Sequence, residues 1–316
     1  MTKPNDDMNK SNTLLAFFLM EFRYFWSAQI LITTKCSSGC RFCVYAKVKK
    51  EDMSREIIEK GFDLFQKLKI PRILISGGEP FESYDNLVLS FEKSLEFLSP
   101  KKVFLITSST WAKSKELVGK KFDPLVEMGL ENLLMSVDAF HMENVKPDNY
   151  FLILDYLKQK GITPVILVRY NYKINMYQNL FEKIKNEYNA KIFTDVIVRT
   201  GGAASLPLDE IKAEMKGLKE FQNKFEKIDT KSYFFLKNPF KNIFTSIVRT
   251  TCVYPTLFPN GDLHLCCRKN NNTKICNLQT DDFNQCFKDF NANRLTNIRR
   301  ILSQPLDCEN CPISKI

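Results

Sequence analysis

From Gln29 to Val198 short apolar, β-rich runs alternate with stretches of helical periodicity, and this alternation constrains the fold more than any other feature of the 316-residue chain. The runs 29–34, 72–76, 102–107, 132–137, 163–168 and 191–198 read as strands. Helices are expected between them over 54–69, 85–98, 113–128, 148–160 and 176–188. Ser54 stands as the N-cap of the first helix, with Ile57, Ile58, Phe62, Phe65 and Leu68 near helical spacing. Asp123-Pro124 is expected to break the third helix, and Gly161 follows the end of the fourth. Strands separated by helices imply right-handed crossovers and a parallel sheet. Six such units are too few to close an eight-stranded barrel, so the expected fold is α/β, a partial (β/α)6 TIM-type barrel. In barrels of this type chemistry gathers at the C-terminal ends of the strands.

Ten cysteines lie in this chain, and they are unevenly spread. Cys36, Cys40 and Cys43 fall just after the first strand; the other seven follow residue 251. A secreted protein spreads its bridges through its loops. Two tight groups in a Lys-rich chain point instead to metal ligation in a reducing cytosol. Three thiolates this close can hold three irons of one cubane cluster from a single loop and leave one iron open to an external ligand. A zinc knuckle would need a fourth Cys or His nearby, and residues 44–140 contain neither. Ser76-Gly77-Gly78-Glu79-Pro80 follows the second strand at the same rim; two glycines there let backbone approach a ligand closely.

Cys-x3-Cys-x2-Cys after the first strand of a partial barrel, with an aromatic residue (Phe42) before the last cysteine and Gly-Gly-Glu after the second strand, resembles the radical S-adenosylmethionine (radical SAM) superfamily. The resemblance implies that Cys36, Cys40 and Cys43 ligate a [4Fe–4S] cluster and that SAM chelates the fourth iron. It implies that electron transfer from the cluster cleaves SAM to a 5′-deoxyadenosyl radical, which abstracts a substrate hydrogen. An electron donor such as flavodoxin or ferredoxin would supply the electron. Phe42 would pack near the adenine, and Gly77, Gly78 and Glu79 would bind the SAM amino group. Ser108 stands where the family often has Asn, at the end of the third strand. Ser136 and Asp138 end the fourth strand, where such side chains reach the ribose and carboxylate of SAM. Arg169 ends the fifth and could pair with the carboxylate or form a surface salt bridge. His141 reads equally as a site residue or a capping histidine.

The C-terminal cysteines, Cys252, Cys266, Cys267, Cys276, Cys286, Cys308 and Cys311, resemble a twitch or shortened SPASM domain. That resemblance implies one auxiliary [4Fe–4S] cluster on Cys252, Cys266, Cys308 and Cys311; a structural zinc site is the plainer alternative. Cys276 and Cys286 read most simply as buried or loop thiols. Cys267 follows a ligand position, and a Cys-Cys pair in this place resembles peptide epimerases, in which a thiol returns a hydrogen atom to the substrate carbon. Cys267 is therefore the candidate catalytic residue. The expected domains are an N-terminal helical extension (1–28), the barrel (29–200), a connecting helical region (201–251) with a charged helix over 208–227, and the auxiliary cluster domain (252–316).

The apolar segment Leu14–Met20 is seven residues long and followed by Glu21 and Arg23, too short to span a bilayer. It has no cleavage site of a signal peptide and reads as a helix with one apolar face. A cytoplasmic location follows. The formal charge is +10, from 46 Lys and Arg against 36 Asp and Glu. The lysines are scattered, with no basic stripe interleaved with aromatics, so nucleic acid is not expected. An acidic precursor peptide is compatible with the charge. Relatives with such extensions mostly modify ribosomally made peptides, and others act on sugars of aminocyclitol antibiotics. About 28 residues precede the first strand, so peptide recognition would fall to a separate protein or another surface. The leading expectation is a peptide-modifying radical SAM enzyme, most specifically an epimerase. The alternatives are a dehydrogenase or epimerase of a sugar-like molecule and a non-catalytic iron–sulfur or zinc protein.

Overall fold

A computed structural model describes residues 27–196, 201–207, 215–225, 255–265 and 274–302. The segment Leu14–Met20 and the residues Cys252, Cys266, Cys267, Cys308 and Cys311 lie outside the described residues. In chain order the strands and helices are β1 (Ala28–Leu31), α1 (Arg55–Lys67), β2 (Ile73–Ser76), α2 (Tyr84–Leu95), β3 (Val103–Thr107), α3 (Lys115–Glu127), β4 (Asn132–Ser136), α4 (Pro147–Gln159), β5 (Val165–Tyr170), α5 (Gln178–Tyr188), β6 (Lys191–Val196), α6 (Met215–Phe225), β7 (Thr256–Leu257), β8 (Asp262–His264), β9 (Lys274–Asn277) and α7 (Phe283–Leu302).

One sheet holds every strand among the described residues, in the order β6-β5-β4-β3-β2-β1-β7-β8-β9. From β1 to β6 each neighbouring pair is parallel, as the alternation of strand and helix requires. β1 is buried along its whole length, the pattern of a strand covered on both faces. Helices supply the cover. Ile57, Ile58, Phe62, Leu64 and Phe65 of α1 are buried, and the Ser54 hydroxyl accepts the Ile57 N–H at 3.3 Å to start the helix. Each large apolar side chain buried this way contributes about 1.5–3 kcal/mol.

Three details differ from the sequence expectation. Pro124 does not break α3, which runs through it. The proline faces solvent while Phe122 and Leu125 on either side are buried, so packing of the apolar face outweighs one missing helix bond. The segment ahead of α5 is a 3-10 turn over Tyr172–Tyr177, and the α-helix begins only at Gln178. The charged helix in the connecting region, α6, is part of the core: Phe221 and Phe225 pack on Phe181 of α5 at ring distances of 5.2 and 5.9 Å.

After α6 the described chain resumes at β7, which pairs in parallel with β1, Gln29 opposite Thr256 and Ile30 opposite Leu257. β8 returns antiparallel to β7, with Thr256 opposite His264, and β9 pairs antiparallel with β8. The hairpin therefore extends the barrel sheet beyond β1. Cys276 of β9 and Cys286 of α7 are joined by a disulfide with Cα atoms 5.6 Å apart, correcting the expectation of two independent thiols. The turn between β9 and α7 brings the two positions together, and both side chains are buried. Among the described residues no helix is long and apolar enough to cross a membrane.

Candidate functional site

The cysteine loop leaves the C-terminal end of β1 and is tied at its neck. Thr34 N–H donates to the Glu51 carbonyl at 2.9 Å, the Thr34 hydroxyl to the Lys49 carbonyl at 2.5 Å, and Lys35 pairs with Asp52 at 2.6 Å. Within the loop Gly39 takes the left-handed conformation, φ 58°, and Cys43 N–H donates to the Cys40 carbonyl at 3.1 Å. Two of the three sulfurs have a backbone N–H partner. Ser38 N–H points to the Cys36 sulfur and Tyr45 N–H to that of Cys43, both at 3.4 Å. Burial pushes the Cys36 thiol up to about 11 and raises that of Cys43. A thiolate there needs positive charge beside it, which bound iron supplies. Among the described residues no three His, Cys, Asp or Glu side chains converge on a single-ion site. Three separate free thiols on one loop suit a multi-iron cluster better than one ion.

The Gly-Gly-Glu segment lies directly against this loop. Gly78 N–H donates to the Thr33 carbonyl and Glu79 N–H to the Lys35 carbonyl, each at 2.8 Å. A Cβ on Gly78 would fall 2.1 Å from the Lys35 carbonyl oxygen and 2.8 Å from the Cys36 Cβ. Only glycine permits that approach. The Ser37 N–H and hydroxyl both reach the Glu82 carboxylate, a second tie between the two loops.

Glu79 is completely buried. Its carboxylate accepts from the Ser108 N–H at 2.7 Å, the Thr107 hydroxyl at 2.9 and 3.0 Å, the Phe81 N–H at 3.2 Å and the Ser108 hydroxyl. Thr107 is aimed in turn by Trp111, whose indole N–H donates to its hydroxyl at 3.0 Å. Burial raises the Glu79 pKa despite these donors.

Beyond β4, Asp138 is fully buried and caps its own turn. One oxygen accepts the Phe140 and His141 N–H groups at 3.1 and 3.0 Å; the other meets His141 Nδ1 at 2.8 Å. Burial alone would lower the imidazole pKa, but the charges of Asp138 and Cys40 hold it well above the ordinary value. Phe42 packs against Phe140 at 5.1 Å and edge-on to His141 at 5.5 Å. Arg41 makes two bonds to Glu143, at 2.8 and 3.0 Å. Ser136 and Arg169 stand half-buried at the ends of β4 and β5.

The far side of the loop is closed by the turn Gly201–Ser205 after β6. Gly202 N–H donates to the Cys43 carbonyl at 2.8 Å. A Cβ at this position would lie 2.3 Å from the Arg41 carbonyl oxygen and 3.0 Å from that of Cys43. The cysteine loop is thus gripped between two glycine turns. Near it Ser38 Oγ, Ser109 Oγ, the Tyr150 hydroxyl and both amide atoms of Asn171 are buried without a hydrogen-bond partner. Ser38 lies in the cysteine loop, while Ser109 and Asn171 follow the ends of β3 and β5. Unpaired buried polar atoms are costly, and a polar ligand at this rim would satisfy them.

Residues 30–184 match the family model of the radical SAM superfamily. That stretch is a radical SAM domain. Several solved structures share its fold. Streptococcus suis SuiB bound to S-adenosylmethionine superposes with a TM-score of 0.60 at 14% identity, covering 100% of this chain and 79% of that one. SuiB bound to precursor peptide SuiA gives 0.58 at 16% identity, covering 90% and 71%. The structure of anSMEcpe with bound AdoMet and Cp18Cys peptide gives 0.56 at 15% identity, covering 91% and 86%. At these identities the likeness is one of fold. No curated protein matches the sequence. The family implies a [4Fe–4S] cluster and SAM, and the three free cysteines and the orphaned polar atoms on the same rim fit such a pair.

Sequence reasoning singled out both loops and the β4 terminus of this radical SAM domain. It missed Thr107 and Trp111 behind Glu79, the clamp at Gly202, and the unpartnered Tyr150 and Asn171. Gly201-Gly202 after the sixth strand was a readable signal of close backbone approach.

Proposed function

We propose that this radical SAM enzyme modifies a ribosomally made peptide, most specifically by epimerising one of its residues. The observation that carries the reading is the cysteine loop: three free cysteines, two with backbone N–H donors to sulfur, clamped between the Gly-Gly-Glu and Gly202 turns. Two neighbours of the same fold, SuiB and anSMEcpe, were solved with peptides bound. A bound cluster and SAM together supply a 5′-deoxyadenosyl radical able to remove hydrogen from an unactivated carbon.

The chain's own residues divide the work. Cys36, Cys40 and Cys43 hold the cluster. Gly77, Gly78 and Glu79 offer their backbone to the SAM amino group, and Ser136 and Arg169 reach its ribose and carboxylate. Ser108 and Asp138 bind Glu79 and His141, and so shape the SAM site from behind. Phe42, with Phe140, forms an apolar wall for the adenine. Cys252, Cys266, Cys308 and Cys311 hold an auxiliary cluster in a twitch-like domain, and Cys267 returns the hydrogen atom. In support, the hairpin sets its two ends side by side, Thr256 opposite His264, and Cys252 and Cys266 flank those ends in sequence. A flavodoxin- or ferredoxin-like protein supplies the electron, and a separate protein can present the peptide.

The test is anaerobic reconstitution followed by reduction with dithionite, SAM and a candidate peptide in deuterated water. The expected outcome is 5′-deoxyadenosine together with one deuterium at an inverted peptide Cα, lost in Cys267→Ala. No SAM cleavage by a cluster-loaded enzyme overturns the radical reading. Cleavage coupled to a peptide that loses two hydrogens overturns epimerisation and leaves peptide modification standing.

A further inference from the structure

Residues 41–50, where the chain leaves the cysteine loop, include Arg41, Lys47, Lys49 and Lys50 and no acid. The segment is fixed from beneath. Tyr45 is buried against Leu31 of β1 and Phe258 after β7, its ring 6.0 Å from that of Phe258, and Val48 packs on the same cluster. Ala46 N–H donates to the Cys43 carbonyl and Val48 N–H to that of Tyr45, each at 3.2 Å. With Tyr45 and Val48 turned in, Val44, Ala46, Lys47, Lys49 and Lys50 face outward. Val44 is 39% exposed; among the described residues Met176 is the only other large apolar side chain in that state. Three neighbouring cations are matched by acids: Lys35 by Asp52, Arg41 by Glu143 and Lys49 by Glu51. Lys50 reaches the Tyr45 carbonyl at 3.5 Å, and Lys47 meets no carboxylate among the described residues. Two uncompensated positive charges thus border a small apolar spot on a preformed surface, and an apolar centre with a charged rim is how protein interfaces are built.

Position selects the partner. Val44 follows Cys43, so a protein seated on it stands about 3.8 Å, one Cα step, from the backbone of the cysteine loop. In the sheet β7 lies on the side of β1 away from β2. Ser109 and Asn171, with the unpartnered polar atoms that suit SAM, follow β3 and β5, across β1 from Phe258. A molecule on the Val44 face meets the loop from the side away from those atoms. That approach suits a protein that delivers an electron rather than a substrate that must reach SAM. We propose that the outer face of Val44–Lys50 is the docking surface for an acidic one-electron donor protein, which covers Val44 and Ala46 and is steered by Lys47 and Lys50. In the step it serves, the donor loses one electron and the oxidised cluster gains it, with no bond made or broken. The proposal rests on Cys36, Cys40 and Cys43 being the cluster ligands. It gives part of the +10 charge a place and a partner.

The test compares reduction of the reconstituted full chain by reduced flavodoxin, by reduced ferredoxin and by dithionite, which needs no docking surface. In Lys47→Glu/Lys50→Glu the rate with the better of the two proteins is expected to fall at least about tenfold, and the wild-type rate to fall as salt is added. The dithionite rate should match wild type. Lys115→Glu/Lys120→Glu makes the same change of charge on α3 and should leave all three rates alone. A protein-driven rate unchanged in Lys47→Glu/Lys50→Glu overturns the proposal. So does an equal fall with dithionite, which marks a disturbed loop, or a loss of peptide affinity with donor rates intact, which marks a peptide surface. Carbodiimide coupling of lysine amines to the donor's carboxylates reads the contact without any turnover. Cross-links are expected at Lys47 and Lys50, and cross-links confined to other lysines overturn the proposal. A wild-type chain that takes up no SAM-responsive cluster overturns the ligand assignment itself, and the cross-linking map still decides the docking surface.

Discussion

Gly202→Ala is expected to damage cluster assembly more than its size suggests. The new methyl would lie 2.3 Å from the Arg41 carbonyl oxygen and 3.0 Å from that of Cys43. Both are backbone atoms, so no side chain can swing aside. Ordinary contact begins near 3.4 Å, so the two turns must part by about 1 Å. That movement breaks the 2.8 Å bond from Gly202 N–H to the Cys43 carbonyl. Overpacking of this kind costs about 1–3 kcal/mol, and the lost bond about 1 more. For a chain of this size the melting temperature should fall by roughly 5–10 °C. Because Cys43 moves with its carbonyl, iron and sulfide content after reconstitution should fall as well. Gly119→Ala is the control. Gly119 lies within α3, where the nearest atom to a new Cβ is an Asp123 carboxylate oxygen at 3.6 Å. There a methyl should stabilise by about 0.5–1 kcal/mol and leave cluster content alone. A Gly202→Ala protein with wild-type melting and wild-type iron content would refute the clamp.

Two further outcomes can be checked directly. Glu79→Gln replaces one acceptor oxygen by an amide that donates, set against either the Ser108 or the Phe81 N–H; stability should drop by about 1–3 kcal/mol and SAM binding should weaken, read by thermal melting and by SAM titration of the loaded enzyme. Burial raises the Asp262 pKa, but the ion pair with Lys274 and the amides of Asn277 and Asn260 outweigh it and hold the carboxyl down at about 2 against an ordinary 3.8. A depressed pKa means stability that is present above 3.8 and lost as the pH falls toward 2. Melting scans should show that loss, and Asp262→Asn should flatten the profile across the same window.

Periodicity was enough to read the barrel because each helix and strand announces its buried face locally. The Ser54 cap, the Gly161 exit and the order of β1 to β6 are of this kind. The two rim loops were legible because glycine and cysteine at fixed spacing have few other uses. What stayed hidden depends on tertiary proximity. No local pattern says that Thr107 turns to Glu79, that Gly202 abuts Cys43, or that α6 buries Phe221 and Phe225 beneath its charged face. Pro124 misled because a local rule about broken helices competes with burial of Phe122 and Leu125, and burial is the larger effect.

The direction of β8 decides at which end of the sheet the hairpin closes. β7 climbs beside β1 toward the rim that carries the cysteine loop, and β8 runs back down, so Leu265 ends the hairpin at the level of Pro255, next to the start of β1. Cys266 and Cys267 are the next residues of the chain. The described hairpin therefore begins and ends at the strand-start side of the sheet, and only its turn, Phe258 to Gly261, stands toward the rim that carries the cysteine loop.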